Sequence, residues 1–253
     1  MRILERILRL PATTGLAVQN LKYWLWRKRN PDQPFATYFA DIAKADFSKG
    51  KPHPSLGRDE PNAGRGAFRK ALEYGLQPND VCVDYGCGTL RLGRHLIDYL
   101  EPGHYWGLDV DDDLLELGRT LAGPDLLTAK APKICRVSPQ AVEEAAASRP
   151  KLLLSFKVLI HVHPAELEHY IKNITTIIGT TGTAVITGKW SPDETYQFAR
   201  QSWAHSFKSI TELVRKPGGD LSLSETRDYW FSELRRPAIK GVLLIRPPQS
   251  GPA

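Results

Sequence analysis

The sequence predicts an α/β protein with a doubly wound, mostly parallel β-sheet. From residue 81 onward, short apolar segments rich in Val, Ile and Leu alternate with helical segments. Glycines follow the first apolar segment directly, as they do in turns that lead from a strand into a helix. The last two apolar segments have only a short connection around Pro237, which predicts an antiparallel end to the sheet.

Seven strands and five intervening helices follow from this alternation. The predicted strands cover residues 81–85, 105–109, 133–137, 152–156, 183–187, 228–231 and 240–245. The predicted helices cover residues 91–100, 112–121, 140–147, 164–178 and 195–215. We expect the last strand to run antiparallel to the others.

Residues 1–60 are predicted to form a basic helical extension to a domain at residues 61–253. Helices are expected at residues 2–10, 16–29 and 36–47, with prolines between them, and a further helix at 64–74 leads into the first strand. The first 30 residues contain one acidic residue, Glu5, and seven basic residues: Arg2, Arg6, Arg9, Lys22, Arg27, Lys28 and Arg29. Seven minus one gives +6, the net charge of the whole chain, so residues 31–253 are neutral overall.

The composition argues against several classes of protein. The three cysteines, Cys82, Cys87 and Cys135, form no CxxC pair, which argues against a disulfide framework or a zinc site and favours the cytoplasm. No Asp, Glu and His residues cluster as metal ligands do, so we expect no metal. No apolar run approaches the about 20 residues that span a bilayer.

The turn after the first predicted strand has the strongest chemical signal. It reads Asp84-Tyr85-Gly86-Cys87-Gly88, and its two glycines allow a tight turn that a ligand can approach closely. A ligand there lies over the carboxyl ends of the strands and faces a helix N-terminus. Because the Asp84 side chain has only acceptor atoms, it suits an ammonium group or water better than a pyrophosphate.

This turn, followed one βα unit later by Gly107-Leu108-Asp109-Val110-Asp111, resembles the first two motifs of class I S-adenosylmethionine-dependent methyltransferases. Residues 153–164 and 181–187 resemble the fourth and fifth strand segments of that family. The resemblance implies a Rossmann-like fold and S-adenosylmethionine as the cofactor, with Asp109 binding both ribose hydroxyls. The implied cofactor site consists of Asp84, Tyr85, Gly86, Cys87, Gly88, Asp109, Val110, Ser155 and Phe156.

An NAD site is the competing interpretation, since NAD-binding proteins also pair a glycine turn with a downstream acid. The NAD fingerprint has a third glycine where this chain has Arg91, and an acid directly before the loop favours the methyltransferase. The chain departs from the family twice: Leu90 stands where another glycine is frequent, and residues 136–140 contain no acid for the adenine.

The predicted function is methylation of a hydroxyl on a small-molecule, glycan or lipid-linked acceptor. The chain lacks the Asn-Pro-Pro-Tyr type motif and any visible RNA-binding module, which argues against a nucleic-acid substrate. A hydroxyl acceptor needs a base, and His161 and His163 are the candidate catalytic residues after the fourth strand. Structural roles for both histidines stay open and are favoured over catalytic ones, and Trp190 either walls the substrate pocket or packs in the core.

Residues 1–30 admit three interpretations: a lid over the pocket, a helix in peripheral contact with an anionic membrane, or a mitochondrial transit peptide. The lid is favoured because Pro11 interrupts the first amphipathic segment early. The absence of Ser from these residues argues against transit. A catalytically silent, methyltransferase-like binding module recruited to membranes by this arm is the alternative function.

Overall fold

The computed structural model describes residues 12–47, 63–199, 201–231 and 236–247. The helix predicted at residues 2–10 lies outside this range. The helices of the described residues are α1 Ala12–Arg29, α2 Phe35–Phe47, α3 Arg65–Glu73, α4 Gly93–Tyr99, α5 Asp112–Ala122, α6 Pro124–Lys130, α7 Pro139–Ala147, α8 Leu167–Ile178 and α9 Phe207–Arg215. The strands are β1 Cys82–Tyr85, β2 Tyr105–Asp109, β3 Lys133–Arg136, β4 Leu152–Phe156, β5 Thr183–Ser191, β6 Tyr196–Ala199, β7 Ser202–Ser206, β8 Asp220–Phe231 and β9 Arg236–Arg246.

Seven of these strands form the main sheet, in the order β3-β2-β1-β4-β5-β9-β8. The pairs from β3 to β5 are parallel, whereas the last strand, β9, is antiparallel to both β5 and β8. The predicted fold class, including the antiparallel last strand, is confirmed. Two further strands, β6 and β7, form a hairpin that extends the sheet at the end of β5, where Trp190 pairs with His205.

Helices cover both faces of the sheet, so its central strands are buried throughout. Every residue of β1 and β2 is buried. Successive side chains of a strand point to opposite faces, and Leu153 accordingly packs in one apolar cluster while Leu152 and Leu154 pack in the other. This explains why these strands read as nearly continuous apolar runs in the sequence.

The helix predicted at residues 195–215 is wrong in its first half. Residues 196–199 and 202–206 form the two strands of the β6–β7 hairpin, and the helix begins only at Phe207. Gln201 in the turn has φ 56°, which no α-helix accommodates. All of β7 is buried against neighbouring elements, so tertiary packing decides the conformation of this segment.

The sequence prediction also missed the short helix α6. Gly123 has φ 86° and ends α5, and Pro124 occupies the first turn of α6. Proline is well suited to that position because its missing N–H would have no partner there.

The N-terminal helices pack on the domain through an aromatic cluster. Phe35 and Tyr38 of α2 pack with Trp203 of β7, and Tyr23 and Trp26 of α1 pack against them. The Phe35 and Trp203 rings lie 5.0 Å apart, edge to face. Among the described residues, no helix combines the length and apolar character needed to cross a membrane.

Candidate active site

A cavity of about 810 Å³ lies at the carboxyl ends of the parallel strands. The last residues of β1, β2, β3 and β4 all line it: Tyr85, Asp109, Arg136 and Phe156. The carboxyl edge of a doubly wound sheet is where such folds bind ligands. The volume lies within the about 300–1,000 Å³ typical of small-molecule sites.

The glycine turn forms the floor of this cavity and is pinned to β2. The N–H groups of Gly86 and Cys87 donate to the Leu108 carbonyl at 2.7 and 3.1 Å. Gly86 has φ 84°, and a Cβ on it would lie 2.3 Å from a methyl carbon of Val158. Gly88 has φ 52° with open space where a Cβ would be, so the backbone is accessible to a ligand there.

Asp109 links the glycine turn to the end of β2. Its Oδ2 accepts from the Gly88 N–H at 2.7 Å, and its Oδ1 accepts from Val110 and Asp111 at 2.8 and 3.2 Å. The side chain is 7% exposed and lines the cavity. Burial raises the pKa of Asp109 to about 6, against the lowering effect of the three N–H groups. The carboxyl is therefore largely ionised at neutral pH and presents acceptor oxygens at the cavity.

Two predicted cofactor residues lie behind the cavity wall. Asp84 is 3% exposed and accepts from the Tyr105 hydroxyl at 3.1 Å. Burial raises the pKa of Asp84 to about 7. Ser155 is fully buried, and its hydroxyl donates to the Tyr85 carbonyl at 2.9 Å. The cavity lining includes the other predicted cofactor residues: Tyr85, Gly86, Cys87, Gly88, Asp109, Val110 and Phe156.

His161 lines the cavity on the side away from Asp109's strand, in a 3-10 turn at Leu159–His161. Its Nδ1 lies 2.8 Å from the carbonyl oxygen of Gln201, in the turn of the β6–β7 hairpin. A carbonyl can only accept, so this contact requires a proton on Nδ1, and Nε2 of the neutral ring then lacks one. The geometry thus favours the tautomer whose Nε2 can act as a base.

His163 is not part of the cavity lining. Its Nδ1 accepts from the Ala165 N–H at 3.2 Å, and its ring lies 5.2 Å from Phe35 and 5.3 Å from Trp203. Burial lowers the pKa of His163, so the ring is neutral near pH 7. Trp190 is also absent from the cavity lining. Its side chain is fully buried and packs in the same apolar cluster as Leu153.

Comparison with sequence families and with curated proteins gives no match. Solved structures do match. A methyltransferase dependent on S-adenosylmethionine (SAM) from Anabaena variabilis ATCC 29413 has a TM-score of 0.59 at 12% identity, covering 84% of this chain and 95% of that one. Magnesium protoporphyrin IX methyltransferase from Synechocystis PCC 6803, with bound SAM, has a TM-score of 0.54 at 16% identity, covering 83% and 96%.

The chain has the class I SAM-dependent methyltransferase fold. The resemblance read from the sequence is thereby confirmed at the level of fold. A 4+2 cyclase also matches, with a TM-score of 0.52 at 14% identity, covering 73% of this chain and 82% of the cyclase. The methyltransferase fold therefore also occurs in an enzyme named as a cyclase, so the fold alone does not establish the function.

Helix α2 supplies a wall that the methyltransferase fold itself does not predict. Four residues at its start line the cavity: Pro34, Ala36, Thr37 and Phe39. Glu166, also in the lining, accepts from the Phe35 N–H at the N-terminus of α2. A carboxylate at a helix N-terminus is favourable because it meets unpaired N–H groups and the positive end of the helix dipole. The wall comes from residues 34–39, beyond the arm at 1–30 that the sequence singled out.

Sequence reasoning also missed a polar network on α8. The Asn173 side chain donates to the Tyr85 hydroxyl at 2.9 Å and lies 3.3 Å from Nε2 of His169. All three residues line the cavity. His169 and Asn173 are spaced i, i+4 and so share one face of α8, and this spacing was the available signal.

Three Lys and Arg residues line the cavity: Arg91, Arg136 and Lys157. Lys157 directly follows β4 and has φ 64°, and its N–H donates to the Thr187 hydroxyl at 2.9 Å. Backbone strain at a non-glycine residue beside a cavity is typical of functional sites. No group of three or more His, Cys, Asp or Glu residues within the described chain is arranged to hold a metal.

Gly86 provides a first test of the site. We expect Gly86→Ala to lower the unfolding temperature by several degrees and to weaken S-adenosylhomocysteine binding at least about tenfold. A Cβ there adds a clash with Val158 to the strain of a positive φ. Gly103→Ala is the matched control, because Gly103 has φ 80° but open space around its Cβ position. Equal effects of the two substitutions in calorimetry would show that the clash is unimportant.

Proposed function

We propose that this chain binds SAM in the cavity and transfers its methyl group to a hydroxyl of a small-molecule, glycan or lipid-linked acceptor. The observation that carries the proposal is Asp109, a buried carboxylate at the cavity that is hydrogen-bonded to Gly88 of the glycine turn. A carboxylate has two oxygens for the two adjacent ribose hydroxyls, which is the role that the family resemblance implies for it.

The residues around Asp109 fit the rest of the cofactor. The open space at Gly88 lets the methionine portion approach the backbone of the turn. Val110, Leu114 and Val137 line the cavity near the ends of β2 and β3 and offer apolar walls to the adenine ring. The absence of an acid after β3 is compatible with such apolar contacts.

Bound SAM would supply an electrophilic methyl group: the acceptor oxygen would bond to the methyl carbon in line as the carbon–sulfur bond breaks, with S-adenosylhomocysteine as the leaving group. The protein has to orient the acceptor, exclude water and take up the hydroxyl proton. We propose that Nε2 of His161 takes that proton, with Nδ1 held by the Gln201 carbonyl. The positive charge of Lys157, in the same lining, favours the developing alkoxide.

The shape of the cavity bears on the acceptor. Residues of α2 and Glu166 line the cavity together with the strand ends, which favours a small acceptor over a folded protein or a duplex. A small molecule, or the end of a glycan or lipid-linked chain, suits such a walled site. The cyclase match supports keeping a second candidate, a module that binds the cofactor without transferring its methyl group.

Calorimetry with S-adenosylhomocysteine is the direct test. We expect a dissociation constant in the micromolar range or tighter, roughly −8 kcal/mol, and no comparable binding of NAD. Clear NAD binding without binding of the homocysteine product would contradict the cofactor assignment. Cell extracts incubated with protein and methyl-labelled SAM should then yield a labelled small molecule, glycan or lipid-linked product. Cofactor binding without any label transfer would favour the silent module.

A further inference from the structure

Helix α1 presents an apolar strip to solvent. Three large side chains spaced i, i+3 and i+4 are exposed: Leu21 at 54%, Trp24 at 50% and Leu25 at 43%. In the part of the chain that the structure describes, the other exposed large apolar residues are scattered over α3, the end of β2 and α5: Leu72, Val110 and Leu121. Apolar exposure is thus concentrated on one face of α1, and clusters of this kind mark interaction sites more often than scattered residues do.

The strip is a second apolar face of α1 and not its core face. Tyr23 and Trp26 point to the opposite side of the helix at 100° per residue. Tyr23 packs at 5.0 Å from the Phe35 ring, and Trp26 packs at 5.3 Å from the Tyr38 ring. Because this aromatic face anchors α1 to the domain, the strip of Leu21, Trp24 and Leu25 is held outward.

Basic residues accompany the strip. Lys28 and Arg29 are exposed on the same side of α1 as the strip, Lys22 is exposed at its edge, and the helix contains no Asp or Glu. The Lys28 ammonium lies 3.9 Å from the centre of the Trp24 ring. Leucines and a tryptophan beside lysine and arginine side chains are the composition of helices that lie in a membrane interface, where Trp sits at the headgroup level and basic residues meet anionic lipid.

We propose that this α1 face, defined as Leu21, Trp24 and Leu25 with Lys22, Lys28 and Arg29, docks the protein on an anionic membrane surface. A nucleic acid would satisfy the basic residues but would leave the leucines against phosphate and water. A second copy related by two-fold symmetry would bring the same basic residues together. A membrane interface accommodates both the apolar strip and the basic residues of the α1 face. The proposal goes beyond the methyltransferase function and does not depend on the chemistry in the cavity.

Flotation of the full chain with lipid vesicles tests the proposal. We expect binding to phosphatidylcholine vesicles that contain phosphatidylglycerol, little binding to phosphatidylcholine alone, and a loss of binding as salt is raised. A variant with Lys22→Gln, Lys28→Gln and Arg29→Gln should bind the anionic vesicles roughly 100-fold more weakly. A variant with Leu21→Gln, Trp24→Gln and Leu25→Gln should lose at least about tenfold.

Matched controls carry the same changes elsewhere. Lys208→Gln, Arg215→Gln and Lys216→Gln neutralise three exposed basic residues at α9, and Leu72→Gln with Leu121→Gln removes apolar groups on α3 and α5. These variants should bind vesicles like the parent. All variants should keep the parent's S-adenosylhomocysteine affinity, or its thermal unfolding midpoint if that ligand does not bind.

Three results would overturn the membrane proposal. The first is a full chain that does not bind anionic vesicles, as would follow if residues 1–11 or another partner cover the α1 face. The second is equal loss of vesicle binding in the α1 variants and their controls. The third is a dimer, detected by light scattering, that dissociates in the Leu21, Trp24 and Leu25 variant without any effect on vesicle binding.

Discussion

Replacing His161 with glutamine is expected to lower kcat by roughly 100- to 10,000-fold once the acceptor is known, while S-adenosylhomocysteine affinity stays close to that of the parent. The reason is that glutamine fills a similar space and can still contact the Gln201 carbonyl, yet it offers no basic nitrogen to the cavity. Steady-state kinetics, with the cofactor saturating, measures the effect. The acidic limb of the parent's pH–rate profile should disappear in the variant, which a merely structural role of His161 would not cause.

His163→Gln is the matched control for that experiment. His163 lies two residues further along the same segment but packs among aromatic rings outside the cavity. Its replacement should lower the unfolding temperature while leaving kcat per folded molecule nearly unchanged. A large drop in kcat for His163→Gln, or none for His161→Gln, would refute the role proposed for His161.

Asp109→Ala is expected to weaken S-adenosylhomocysteine binding roughly 100-fold or more. The substitution removes the acceptors for two hydroxyl groups, and each hydrogen bond to a charged group contributes about 1.5–3 kcal/mol. It also leaves the N–H groups of Gly88, Val110 and Asp111 without their acceptor, which loosens the glycine turn. Asp125→Ala on the exposed side of α6 is the control and should bind like the parent. Unchanged calorimetric affinity in Asp109→Ala would remove this residue from the ribose site.

The pH dependence of S-adenosylhomocysteine binding tests whether the charge of the Asp109 carboxylate, and not only its size and shape, contributes to affinity. Because burial raises its pKa to about 6, the carboxylate takes up a proton as pH falls through that value. Affinity should then fall about tenfold for each pH unit below the pKa, in a range where an ordinary Asp stays ionised. Asp109→Asn should be weak at every pH and should lack this slope. A slope near pH 7 that persists in Asp109→Asn belongs to another titrating group, and Asp84, whose pKa is raised to about 7, is one such group beside the site.

The cofactor half of the site could be predicted from sequence because its signals are local. Gly86 and Gly88 sit next to the strand that they follow, and Asp109 ends the next strand along the chain. Strand ends of a parallel sheet meet at one edge, so the spacing alone brings these residues together. Asp84 and Ser155 stand at motif positions but are buried and absent from the cavity lining, which only the packing of the whole fold reveals.

The acceptor half could not be predicted because its contacts join distant segments. The Gln201 carbonyl that meets His161 belongs to a hairpin that the sequence pattern presents as helix. The helix at residues 36–47 was expected, but nothing in its composition indicates that Pro34 to Phe39 reach the cavity. Contacts between residues that are distant in the sequence depend on the whole fold rather than on local helix or strand propensity.

The hydrogen bond from the Phe35 N–H to Glu166 joins positions 131 residues apart in the chain. One partner begins α2, and the other lies in the cavity lining. A ligand whose binding strengthens this contact also favours the docking of α2, and docking then favours the ligand by the same free energy. If a membrane holds α1, attachment to lipid and ligand binding in the cavity become thermodynamically linked. A change in the affinity for one then changes the affinity for the other. In that case the N-terminal helices would couple attachment to the membrane with binding in the cavity.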